Sequence, residues 1–255
     1  MSRLGRSLAI RDLDEVSRGG LAAFVKRSWP QIQPGPLRWN WHHDVICDRL
    51  ERVSTGEIRK LAIMIPPGTT KTLIASVLWP VWDWIEHPWR RFITASYGDV
   101  SLDAARQHRD LVCSSWFQHR WGHVQIPYQN TRAAAHFRNN RGGVRMSTSV
   151  GGALTGRHAH IHIADDLNKA QEAMGGGTES LTALDSSWRF WEHVVTTRRA
   201  DPQTLCQVLI GQRLHEKDVP GRWLAAHPDV HVLCLPMHYS SSHPHACPRT
   251  EDLPP

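Results

Sequence analysis

The run LAIMIPPGTTKTLIASVLWPVW, residues 61–82, constrains this chain most, because it can be read only as strand, loop and helix in that order. Residues 61–65 are apolar, long enough for a buried parallel strand and too short for a helix. Pro66 and Pro67 end the run, since proline has no N–H to give to a ladder. After the loop Gly68-Thr69-Thr70, Lys71 and Thr72 open a segment in which Leu73, Val77, Val81 and Trp84 recur at helical spacing. A lysine and a hydroxyl at the start of a helix that follows a buried strand is the layout of a phosphate cradle. Backbone N–H groups face the anion, the ammonium reaches the outer phosphates and the hydroxyl ligates Mg²⁺. Gly68, Thr69, Thr70, Lys71 and Thr72 are therefore the candidate nucleotide-binding residues. The match to G-x-x-x-x-G-K-S/T is incomplete: with Lys71-Thr72 on its last two positions, Ile65 and Thr70 stand where the glycines belong. Only Gly68 supplies a permissive backbone. Alone, the loop reads more readily as an ordinary solvated helix start, and a phosphate site requires a second strand that ends in carboxylates.

Residues 160–166 supply that strand, closing on Asp165-Asp166. The surrounding pattern repeats strand and helix. Residues 10–28 and 39–54 read as two helices divided by the proline-bearing run 30–36. Residues 91–96 form a second buried strand, and Val100, Leu102, Ala105, His108, Leu111 and Val112 mark an amphipathic helix after it. Residues 132–150 suggest a hairpin turning at 139–143. Beyond the acidic strand come a helix over 181–197, a strand over 204–210 ending on Gly211-Gln212-Arg213, a short helix over 218–226 and a last strand over 230–235. This is the pattern of an α/β protein with a mostly parallel sheet and helices on both faces. The expected division is a helical lead-in over 1–57 packed on a core over 58–236, then an irregular tail over 237–255.

Charge and cysteine content narrow the setting. The net charge of +6 and the pI of about 9.4 suit a polyanionic partner, although a basic surface kept for solubility gives the same figures. Five cysteines without a C-x-x-C pair suggest reduced thiols of a cytosolic protein. No apolar run approaches the roughly 20 residues that span a bilayer, and the N-terminus has no signal-peptide core. Trp79, Trp82, Trp84 and Trp89 are expected in the core. His238, His243, His245 and Cys247 have zinc-ligand chemistry, but their spacing fits no structural template.

Ligands of open α/β sheets bind beyond the carboxyl ends of the strands. There Asp165 is the candidate Mg²⁺ carboxylate, with Thr72 as the second metal contact. Asp166 is the candidate for orienting an attacking water; an Asx turn is the plain alternative for the pair. Arg157, in a glycine-bearing loop upstream of the acidic strand, is the first candidate for neutralising transition-state charge, with Arg213 and Arg198 as alternatives. Arg132, Arg138, Arg141 and Arg145 along the hairpin, and Arg189, Arg198 and Arg199 near the late helix, suit DNA phosphates or a solvated face.

Taken in order, IPPGTTKTLIASVLWPVWDWI, RFITASYGDVSL, TSVGGALTGRHA, HIADDLNKAQEA and IGQRLHEKDVPGRWL resemble the ATPase domain of the large terminase subunit of tailed bacteriophages. The likeness covers residues 41–237. It implies a P-loop NTPase fold of the ASCE, RecA-like class, ATP and Mg²⁺ as cofactors, and a motor that drives double-stranded DNA into a procapsid. It also implies a small terminase subunit and a portal protein as partners, a homo-oligomeric ring, and action in the cytoplasm of the bacterial host rather than in the mature virion. Carried over, Lys71 and Thr72 are the phosphate and Mg²⁺ contacts, Asp165 the metal carboxylate and Asp166 the catalytic one, where many relatives have glutamate. Gln212 and Arg213 stand where the family couples γ-phosphate state to movement. The family's nuclease domain is not expected within these residues. A helicase-like translocase and a prophage remnant that binds nucleotide or DNA without turnover are the alternatives.

Overall fold

Strands that are apolar on both faces need cover on both faces, and this sheet receives it. The computed structural model describes residues 3–130, 135–154, 156–169 and 177–236. Its strands are β1 (Lys60–Met64), β2 (Arg91–Ser96), β3 (His136–Arg138), β4 (Val144–Ser149), β5 (Ile161–Asp165), β6 (Cys206–Gly211) and β7 (His231–Cys234). They form one sheet in the order β3-β4-β2-β5-β6-β1-β7. Only β3, paired to β4, is antiparallel; every other neighbour is parallel. The chain is thus an α/β protein with a mostly parallel sheet.

The helices are α1 (Arg3–Ile32), α2 (Trp41–Ser54), α3 (Trp79–Glu86), α4 (Val100–Cys113), α5 (Ser115–Trp121), α6 (Gly177–Arg189) and α7 (Val219–Ala226). A π-helical turn, Leu73–Leu78, precedes α3, and another, Phe190–Val195, follows α6. Strand alternation sends Leu61, Ile63, Phe92, Ile163 and Ile210 to one face, against Phe24, Leu50, Trp79, Trp84 and Phe117 of the first five helices. Ala62, Ile93, Ala95 and Leu209 point the other way, onto Trp191, Val195 and Trp223. Residues of α1 and α2 belong to the same cluster as β1, so the N-terminal helices pack directly on the sheet.

Glycine is required once in α1. Gly20 adopts φ 56° and breaks the helix into two, and the N–H of Leu21 donates to Glu51 Oε1 at 2.7 Å. A Cβ at Gly20 would lie 2.5 Å from that oxygen. Three readings need correction. The short helix α5 was not expected; Ser114 caps it by accepting from the N–H of Phe117. Trp89, expected in the core, is 54% exposed in the loop after α3, which leaves Trp79 and Trp84 to fill the interior. The hairpin arginine Arg145 is buried and cannot follow a DNA backbone. Its register opposite Phe92 places it on the helix-covered face of β4. Arg132, the tail 237–255 and its His/Cys group lie outside the described residues. Among the described residues no helix is long and apolar enough to cross a membrane.

Two histidines are held neutral in the interior. His162 of β5 bonds the Arg198 carbonyl at 2.9 Å through Nε2, and its pKa is pushed down to about 4 by burial. His108 lies edge-on to Trp84, and burial holds it well below the usual histidine range. A depressed histidine gives stability that is present above its unfolded pKa of about 6.5 and is lost as pH falls toward the folded value. In urea titrations, therefore, the wild type should lose about 2 kcal/mol relative to His162→Gln between pH 7.5 and pH 5. A pH-independent difference would remove this account of His162.

Candidate functional site

The carboxyl ends of the parallel strands share one rim. Register places Met64 opposite Gly211, Asp165 opposite Ile210, and Ser96 opposite Asp165. The loop after β1 rises there. Thr69 Oγ1 donates to the Pro66 carbonyl at 2.8 Å, and the helix begins with Ile74 N–H to the Thr70 carbonyl at 3.1 Å. Gly68 has φ 77° and open space where a Cβ would stand. Thr70 has φ 58°, so the position that the motif reserves for glycine does take the left-handed backbone glycine favours. Among the described residues, the backbone N–H groups of Gly68, Thr70, Lys71 and Thr72 donate to no acceptor, while the turn at 67–68 engages that of Thr69. Such a row of free donors at a helix start attracts an anion.

Lys71, 5% exposed, brings its Nζ to 2.7 Å from Asp166 Oδ2. The contact is a close ion pair, with the ammonium buried. Thr72 Oγ1 donates to Asp165 Oδ1 at 3.0 Å, and Ser76 Oγ to Asp165 Oδ2 at 2.6 Å. Asp165 is 1% exposed. Its pKa is pushed up to about 6, first by burial, against the pull of the Ser76 hydroxyl, and with the negative charge of Asp166 adding to the rise. A hydroxyl and a carboxylate side by side suit a hard cation whose other ligands are water and phosphate oxygens. Among the described residues no group of three or more His, Cys, Asp or Glu side chains could hold a metal alone.

Asp166 is, among the described residues, the other non-glycine residue with positive φ, at 44°. Two backbone bonds fix it, its N–H to the Ile210 carbonyl at 3.0 Å and the Tyr97 N–H to its carbonyl at 3.2 Å. The N–H of Gln212 donates to its Oδ1 at 3.2 Å. Gly211 must stay small, because a Cβ there would come within 2.9 Å of the same oxygen. Left-handed backbone costs an ordinary residue about 1–2 kcal/mol, and both instances flank the Lys71 ammonium in sequence or in space.

Two contributors escaped the sequence reading. His43 of α2 is buried and reaches the loop: its Nε2 lies 2.8 Å from Thr70 Oγ1, which in turn donates to the Thr69 carbonyl at 2.6 Å. Its Nδ1 lies 2.9 Å from the Asn40 N–H, in a capping box, and 3.1 Å from the Asn40 carbonyl. Burial, with His42 beside it, pushes its pKa down to about 4. No spacing signal links residues 43 and 70. Arg145 is the second. Its Nη2 donates to the Ser76 carbonyl at 2.7 Å, and its Nε and Nη1 have no partner among the described residues. Burial pushes its pKa down to about 9, with the charge of Asp165 opposing the fall.

Other predicted residues lie apart from this cluster. Arg157 joins no hydrogen bond or ion pair of this cluster among the described residues; after burial, its charge lowers the pKa of His136 of β3, three strands from β5. Arg198 sits at the opposite rim, where its carbonyl accepts from Ala159 N–H and bonds His162. Arg213 is tied to buried Asp218, Nε to Oδ1 at 3.1 Å, and the contact of the Gln212-Arg213 pair with Asp166 runs through the Gln212 N–H. Arg141 and Arg189 are engaged with the His123 carbonyl and Asp185. In comparisons with protein-family models and with curated proteins, no match to this chain was found.

Proposed function

We propose that this chain is a Mg²⁺-dependent P-loop ATPase, and specifically the motor domain of a phage DNA-packaging terminase. The observation that carries the ATPase reading is the meeting of Lys71, Thr72, Asp165 and Asp166 at one rim of the sheet, beside the free N–H groups of the loop. The single strand β6 between β1 and β5 also agrees with the additional-strand class. Lys71 and the loop N–H groups hold the phosphates, Thr72 and Asp165 hold the metal ion, and Asp166 positions the attacking water. The bound ion supplies neutralisation of charge on the phosphoryl oxygens. The terminase part of the reading rests on the motif order alone, and with it the double-stranded DNA, small subunit, portal and ring.

An arginine supplied in trans by a neighbouring copy, with Arg157 the candidate, raises turnover by about 10³ to 10⁵. Hydrolysis should accordingly require Mg²⁺, be weak in dilute protein, and rise with protein concentration and with double-stranded DNA. Phosphate release measured for the wild type beside Lys71→Ala tests this. A wild-type rate no greater than that of the variant, with concentrated protein and DNA present, would leave the non-hydrolysing remnant as the better reading.

A further inference from the structure

We infer that His43 is a positioning residue that does for the phosphate loop what the missing glycine does in the usual motif: it holds residue 70 in the left-handed conformation. The inference rests on reading residues 65–72 as a phosphate loop. In that motif the residue before the lysine is glycine, because the chain there turns through positive φ and glycine adopts it freely. Here the residue is threonine, whose branched Cβ makes the conformation unfavourable. It nevertheless stands at φ 58°, and Thr72 has returned to right-handed helix at φ −59°. Alternation of left- and right-handed residues turns successive N–H groups toward one side, which is how an anion nest is made.

The restraint comes from outside the loop. His43 Nε2 is hydrogen-bonded to Thr70 Oγ1 at 2.8 Å, and the same hydroxyl lies 2.6 Å from the Thr69 carbonyl, to which it donates. The ring cannot turn away, because Nδ1 is fixed by the Asn40 N–H at 2.9 Å and the side chain is buried. Rings of Trp39 and His42 lie beside it, with centroids 4.9 and 3.9 Å from its own. The hydroxyl is thus the handle by which α2 grips a loop that cannot rely on glycine. It follows that the N-terminal helices set the affinity of the phosphate site without touching the phosphates.

The test is ADP affinity by calorimetry, which needs no turnover. His43→Ala should weaken ADP about tenfold, the worth of one buried hydrogen bond. Thr70→Val, which removes the hydroxyl and leaves α2 intact, should do the same, and His43→Gln, which restores an N–H donor, should recover most of the loss. The deciding comparison is made on Thr70→Gly, where the backbone needs no restraint: there the added His43→Ala change should cost less than about twofold. An equal loss from His43→Ala in both backgrounds, or none in the wild type, overturns the inference. Lys71→Ala run alongside separates the two levels: if it leaves ADP affinity unchanged, it is the phosphate-loop reading itself that fails.

Discussion

Asp166→Asn is expected to lower ATP turnover by about 10² to 10⁴ while nucleotide binds as tightly as before or more tightly. Asparagine keeps the size of the side chain and tolerates the left-handed backbone, here φ 44°, that few other residues accept. The Gln212 N–H can still donate to its carbonyl oxygen, so the loop after β5 should hold its shape. Lost are the negative charge that polarises a water and the partner 2.7 Å from the Lys71 ammonium. Freed from that carboxylate, the ammonium interacts more strongly with phosphate oxygens. Single-turnover hydrolysis and ADP titration on the same preparation separate the two effects. A parallel fall in both affinity and rate would mean that Asp166 holds the loop rather than acts on the reaction.

Asp165→Asn should remove Mg²⁺-dependent hydrolysis by at least about 100-fold and yet make the metal-free protein more stable. The carboxyl of Asp165 is 1% exposed and has its pKa raised to about 6. For a carboxyl raised above its unfolded value, the favourable contribution is complete below about pH 3.8 and is lost as pH climbs through 6. By pH 8 the buried charge costs about 3 kcal/mol, which a neutral amide avoids. The amide introduced by the substitution would accept from one neighbouring hydroxyl and donate to the other, both of which now donate to the carboxylate. Urea titrations in the presence of a chelator should therefore show a gain near pH 8 that falls to about 1 kcal/mol near pH 4.5, with the shared histidine contribution cancelling. A variant equally destabilised at both values would argue that Asp165 is a structural acid.

The destabilised carboxylate, the two left-handed non-glycine residues and the half-paired Arg145 are concentrated at one rim. A chain under selection for stability alone would place glycine at 70 and an apolar residue at 145. Strain and buried charge gathered at one site are what a site kept for binding or chemistry looks like.

The sequence by itself determined the strand, loop and helix at residues 61–82, the acidic strand end, the other parallel strands and the side of the sheet on which their polar ends meet. It could do so because these are local: apolar runs of strand length, prolines that stop them, and helical periodicity that follows within a few residues. The left-handed turn at position 70 was also implicit, since the motif reserves that place for glycine. Only the tertiary structure decided that His43 grips Thr70, that Arg145 lies beneath Ser76 rather than along the hairpin surface, and that Arg157 stands by β3. Each of these depends on which elements become neighbours and which face of a strand is covered, and the first two join residues 27 or more positions apart. Local pattern carries no record of such pairings, because the burial that fixes them exists only once the sheet and its helices have assembled.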